Sequence, residues 1–215
     1  DALPISIVIA CNTATAYGIQ DILQAVAHWK IPISVIGVVN AGAKGAMEKG
    51  LTNGTVAVMA TVGTCSSKGY VRAVETIAER MNRKAPTVAQ QGCLGLAGAI
   101  EGDKSYINAS NEDDYRGPSV SNDQAPIVPE LLDRYGFDKE GLVGTENGIE
   151  NIRLNSVENY IRYHALSLVE SYKQNGGTAP IQSVILGCTH FPFYRELFEE
   201  AFDYLREYKT PDGET

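Results

Sequence analysis

The chain lacks any pair of cysteines at C-x-x-C spacing, and its four cysteines, Cys11, Cys65, Cys93 and Cys188, are scattered along 215 residues. That excludes a zinc ribbon and a disulfide framework, and it fits a reducing compartment, so a cytoplasmic setting is expected. No run of about 18 apolar residues occurs, so no membrane-spanning helix is expected. No charged segment followed by an apolar stretch opens the chain, and no signal peptide is read there. Positive charge is scarce: 18 Lys and Arg face 26 Asp and Glu, for a formal net charge of −8. A surface of that sign repels phosphate backbones and anionic lipid, so neither nucleic acid nor a membrane is an expected partner. A small anionic substrate stays compatible, because a pocket can be locally positive. No P-loop and no glycine-rich dinucleotide fingerprint is present, so no nucleotide cofactor is expected.

What is present is a regular alternation of patterns. Short β-branched apolar runs at 5–10, 33–39, 56–61, 88–91 and 181–186 read as strands, the first and last of them buried. Between them, 15–29, 41–49 (ended by Gly50), 70–83, 157–173 and 192–207 read as helices; on the first, Ile19, Ile22, Leu23, Val26 and Ala27 share one face. Asn53-Gly54 reads as a turn. Strands alternating with helices predict an α/β fold with mostly parallel sheets, whose ligands sit at the carboxyl ends of strands. Residues 103–156 break the pattern. They are rich in Asn, Asp, Ser, Gly and Pro, and read as a long polar surface insertion with one short helix near 128–135. The acidic run Glu112-Asp113-Asp114 within it reads as solvated loop.

One local pattern occurs twice. Ser6-Ile7-Val8-Ile9-Ala10-Cys11-Asn12-Thr13 and Ser183-Val184-Ile185-Leu186-Gly187-Cys188-Thr189-His190 each read as strand, small residue, cysteine, then polar residues opening a helix. A helix start carries partial positive charge and free N–H groups, which favour a thiolate and can hold a carboxylate. A lone cysteine after a strand is more often a small buried hydrophobe than a catalyst. Two copies with Asn, Thr and His beside them point instead to a pair of acid/base thiols. One thiolate removes a proton from carbon, and the opposite thiol returns one to the other face. That inversion needs no metal, pyridoxal phosphate or nicotinamide. Cys188 and His190 lack a second ligand pair at metal spacing.

These residues resemble the aspartate/glutamate racemase superfamily, and its glutamate racemase branch in particular. Ile9-Ala10-Cys11-Asn12-Thr13-Ala14 is similar to that branch's first cysteine motif, and Leu186-Gly187-Cys188-Thr189-His190-Phe191-Pro192 to its second. Aspartate-type relatives usually place Glu where His190 stands. Ala60-Thr61-Val62-Gly63-Thr64 through Ser67 and Tyr70 is similar to the family's threonine loop, and Cys93 through Glu101 matches a further segment by spacing. The resemblance implies Cys11 and Cys188 as the two catalytic thiols, assisted by His190 and Glu101. It implies Asn12, Thr13, Thr64 and Thr189 as substrate-binding residues, with no cofactor and no metal. It implies a two-lobed α/β fold with the first lobe incomplete. Residues 1–38 would be the remnant of the first lobe and 39–205 most of the second, with the polar insertion at about 103–156. Residues 206–215 would be a truncated tail, and both ends are expected to be cut.

The family's N-terminal strand and its Asp-Ser-Gly loop do not occur in this sequence, and Leu94-Gly95-Leu96-Ala97-Gly98 stands where relatives carry prolines and bulkier apolar residues. The resemblance implies interconversion of L- and D-glutamate, and with it D-glutamate supply for peptidoglycan. Glutamate is the expected partner, with a homodimer as a further option. Two alternatives stay open: racemisation of another small amino acid or a hydantoin, and an inactive relative that acts by binding. His28 and His164 read as surface or packing residues, Cys65 as packing, and Gly42 and Gly45 as helix-packing or flexible positions.

Overall fold

The computed structural model describes residues 5–48, 54–108 and 114–209. Gly50, Asn53 of the expected turn, Glu112 and Asp113 of the acidic run, and the terminal residues 1–4 and 210–215 lie outside the described residues. In chain order the elements begin β1 (Ser6–Ile9), α1 (Asn12–Trp29), β2 (Ser34–Gly37), α2 (Val38–Glu48) and β3 (Thr55–Ala60). Next come α3 (Val62–Ser66), α4 (Gly69–Arg80), β4 (Thr87–Gly92), α5 (Leu96–Glu101) and α6 (Leu132–Tyr135). The series closes with β5 (Leu142–Val143), β6 (Arg153–Leu154), α7 (Val157–Gln174), β7 (Ile181–Gly187) and α8 (Arg195–Glu207). The chain forms two compact units, Asp1–Gly92 with Gly177–Thr189, and Cys93–Gly176 with His190–Thr215. The lobe boundary expected after residue 38 falls inside the first unit.

The first unit is α/β with parallel sheets, as the alternation of patterns predicts. Its larger sheet has the order β4-β3-β7, all parallel. All six residues of central β3 are buried, as a parallel strand covered on both faces must be. Val56 and Val58 of β3 pack with Ala43 and Met47 of α2, Val74 of α4 and Ile185 of β7. In register, Ala60 at the end of β3 lies opposite Gly92 of β4 and Gly187 of β7. Thr61 and Cys188 therefore leave adjacent strands at the same carboxyl edge.

A second, two-stranded sheet pairs β1 with β2 in parallel, Val8 opposite Ile36. Here the expectation of a buried first strand is corrected: Val8 is 61% and Ile36 49% exposed. Helix α1 covers only one side, where Thr15 and Ile19 close on Gly37. No described layer covers the other side.

The second unit is built around α7. Tyr160, Ile161, His164, Leu166 and Leu168 on that helix are buried, and Ser156 caps its start by accepting from the Asn159 amide at 3.2 Å. The described residues of the stretch 103–156 are more structured than its composition predicts. Ile127, Tyr135, Ile152 and Leu154 from it are buried, and β5 pairs antiparallel with β6. Its many Asn residues work as backbone partners. Asn122 donates to the Gly117 carbonyl at 2.9 Å, and Asn155 Oδ1 accepts from the Asn108 amide at 2.6 Å. Side-chain amides substitute there for ladder bonds, which is why no period shows in the sequence.

Candidate active site

Cys11 is the N-cap of α1, in extended conformation (φ −85°, ψ 127°), and its Sγ accepts from the Ala14 amide at 3.5 Å. The helix starts three residues earlier than its apolar period indicates, because this cap supplies the partner that its first turn needs. Cys11 is exposed. No acidic side chain occupies the first turn, so the positive end of this 18-residue helix is uncompensated. Asn12 is buried, and its Oδ1 accepts from the Tyr70 hydroxyl at 2.6 Å.

Three threonine hydroxyls meet beside it. Thr13 Oγ1 lies 2.9 Å from Thr64 Oγ1 and 3.1 Å from Thr61 Oγ1, and the last two are 3.0 Å apart. Thr61 caps α3 through the Thr64 amide, and Ser67 donates to the Thr64 carbonyl at 2.6 Å. Thr64 is fully buried, so its hydroxyl serves Thr13 and Thr61. Thr61, Thr64, Ser67 and Tyr70 recur every third residue, a spacing that puts them on one side of a short helix and its exit turn. Thr61 and Tyr70 stand beside the expected site residues without being among them, and the three-residue repeat is the sequence signal that marks them.

Cys188 follows the last residue of β7 and is buried, at 6% exposure. Gly187 just before it touches Tyr70: a Cβ there would stand 2.9 Å from Tyr70 Cε2. Both cysteine motifs, remote in sequence, thus abut one tyrosine within the first unit. Burial, followed by the nearby Cys65 and Cys188 thiols, pushes the Tyr70 hydroxyl up to about 12. Cys65 itself is pushed up to about 11 by burial, against a lowering backbone hydrogen bond at Ala60.

The second motif is not a copy of the first in structure. The residue after Cys188, Thr189, is exposed and lies in a turn, and a 3₁₀ turn (Phe191–Tyr194) precedes α8. The helix expected from residue 192 is thereby split. Pro192, second in this turn, suits a first turn whose N–H groups have no partner within the helix, and Phe191 is anchored by burial against Phe198, ring centres 5.7 Å apart.

In the second unit, His190 Nε2 lies 2.8 Å from Glu101 Oε1. The structure therefore pairs the two residues expected to assist Cys188. Glu101 ends α5, whose first cap is Gly95 at φ +78°. A Cβ on Gly98 would come within 2.4 Å of the Tyr106 ring, so this ring takes the room that a bulkier residue would need. His164 is buried, with Nε2 3.0 Å from the Leu94 carbonyl. Among the described residues no group of three or more His, Cys, Asp or Glu could hold a metal ion. No helix there is long and apolar enough to cross a membrane.

No family model matches the chain. Among curated proteins it is 37% identical over 131 residues to the glutamate racemase of Symbiobacterium thermophilum, covering 59% of this chain and 40% of that protein. It is 44% identical over 71 residues to the glutamate racemase of Oceanobacillus iheyensis, 33% of this chain and 24% of that one. The matches thus span less than half the length of either relative. Among solved structures, the glutamate racemase isoform RacE1 of Bacillus anthracis aligns with 92% of this chain and 49% of its own, at TM-score 0.54 and 22% identity. The Francisella tularensis glutamate racemase, solved in complex with D-glutamate, aligns with 94% of this chain and 53% of its own, at TM-score 0.51 and 22% identity. The chain is related in sequence to the glutamate racemases and shares their α/β fold.

Proposed function

We propose that this relative of the glutamate racemases belongs to an amino-acid racemase that interconverts L- and D-glutamate with two cysteine acid/base groups. The observation that carries the reading is the convergence of the Cys11 and Cys188 motifs on Tyr70. Asn12 bonds its hydroxyl at 2.6 Å, and Gly187 closes on its ring. Cys11 has an exposed thiol at the positive end of a helix, a place that favours an anionic ligand.

In the proposed reaction, one cysteine thiolate takes the Cα proton and the other cysteine thiol delivers a proton to the opposite face. Asn12, Thr13 and Thr189 supply donors to the substrate carboxylates, and Thr64 acts by holding the Thr13 hydroxyl. His190 and Glu101, paired at 2.8 Å, assist the Cys188 side. An imidazole and a carboxylate in hydrogen-bond reach can pass a proton between them. The same proposal takes residues 1–38 as part of one lobe and 39–205 as most of another, and assigns the product to peptidoglycan synthesis in the cytoplasm.

Incubating the complete protein that carries this chain with L-glutamate in deuterated water should yield D-glutamate carrying deuterium at Cα. Cys11→Ser and Cys188→Ser should each lower the rate by several orders of magnitude, since a hydroxyl is a far weaker acid than a thiol. Absence of Cα exchange, or full activity in either serine variant, overturns the reading.

A further inference from the structure

We infer that Tyr70 is a positioning residue, whose hydroxyl fixes the Asn12 carboxamide in the one orientation that offers its NH2 group to a substrate carboxylate. The inference rests on the reading of this site as a glutamate site. A carboxylate only accepts hydrogen bonds, so Asn12 serves it through NH2 and not through Oδ1. An asparagine held at neither end can turn its amide over, and half of its population would then present oxygen to the ligand.

Tyr70 removes that freedom. Its hydroxyl lies 2.6 Å from Asn12 Oδ1 with both groups buried. Burial keeps the phenol protonated, with its ionisation up at about 12, so it remains a donor at working pH. The ring is itself held on two sides by glycines. A Cβ on Gly42 would lie 3.1 Å from the Tyr70 hydroxyl, and one on Gly187 would lie 2.9 Å from Cε2. Any larger residue at either place would push the ring and its hydroxyl away from Asn12. The tyrosine at 2% exposure does not reach a ligand; it acts through Asn12.

Tyr70→Phe keeps the ring, and with it the contacts to both glycines, and removes only the donor. In Cα deuterium exchange with glutamate, the variant should show KM raised about tenfold, the size expected for one lost hydrogen bond, and kcat lowered less. Its melting temperature should fall by only a few degrees, as expected for one buried acceptor left without its donor. An unchanged KM overturns the proposal, and so does a loss of stability in parallel with every kinetic constant. If the unmodified chain neither exchanges nor binds glutamate, the proposed function fails, and Tyr70 is judged by nuclear magnetic resonance. The Asn12 side-chain amide signals, identified by their loss in Asn12→Ala, should then stand apart from exposed amides and move toward them in Tyr70→Phe. Identical signals in both chains sink the positioning role.

Discussion

His164 shows how one residue's environment sets a property of the whole fold. Its imidazole sits at 1% exposure between the rings of Tyr160 and Tyr163, and burial pulls its ionisation down from 6.5 to about 4, opposed by the bond to the Leu94 carbonyl. A folded-state value below the unfolded one means that the unfolded chain binds the proton first as pH falls. Stability from the neutral form is complete above about 6.5 and is lost as pH falls toward 4. The loss amounts to about 3 kcal/mol over that window. Urea unfolding at a series of pH values should show this slope, and His164→Gln should flatten it; an equal slope in both chains would refute the assignment. The helical pattern of residues 157–173 was legible in the sequence. Which face carried His164 into the core was not, because His is found both inside and outside helices of this kind.

At the scale of elements, two glycines make opposite predictions. Gly187 ends β7, where an added methyl would meet Tyr70 Cε2 at 2.9 Å and the Ala60 methyl at 3.0 Å. Gly187→Ala should destabilise the chain by about 1–3 kcal/mol through overpacking. Gly18 lies inside α1 with nothing within 4 Å of a built Cβ. Gly18→Ala should stabilise by about 0.5–1 kcal/mol, because it removes backbone freedom from the unfolded chain. Denaturant midpoints of the two variants should move in opposite directions. The strands and long helices were readable from period alone. The start of α1 at Cys11 showed only in the string of cysteine and polar residues, and the short α3 showed in neither. A cap is a single hydrogen bond, and a five-residue helix has too few turns to show a period.

For the whole molecule, exposed apolar side chains gather on the β1–α1–β2 block. Val8 and Ile36 are paired across the strands, and Ile5 and Trp29 are 83% and 63% exposed. Parallel sheets are normally covered on both faces, so this block is unusual. The chain should enhance the fluorescence of a hydrophobic dye such as anilinonaphthalene sulfonate. Combined Val8→Ser and Ile36→Ser should remove much of that signal, whereas Ile149→Ser, 48% exposed in the second unit, should not. Equal signals from all three chains would show that the dye reads something else.

Sequence alone determined the α/β class, the parallel pairing and the two cysteine motifs, because each is written in neighbouring residues: apolar period, turn chemistry and short strings. Tertiary structure alone decided that Asn12 and Gly187 share Tyr70, that Thr13 joins Thr61 and Thr64, and that Glu101 pairs with His190. Such contacts join residues far apart along the chain. They depend on how side-chain volumes fill the space around the strands, and no local pattern encodes that packing.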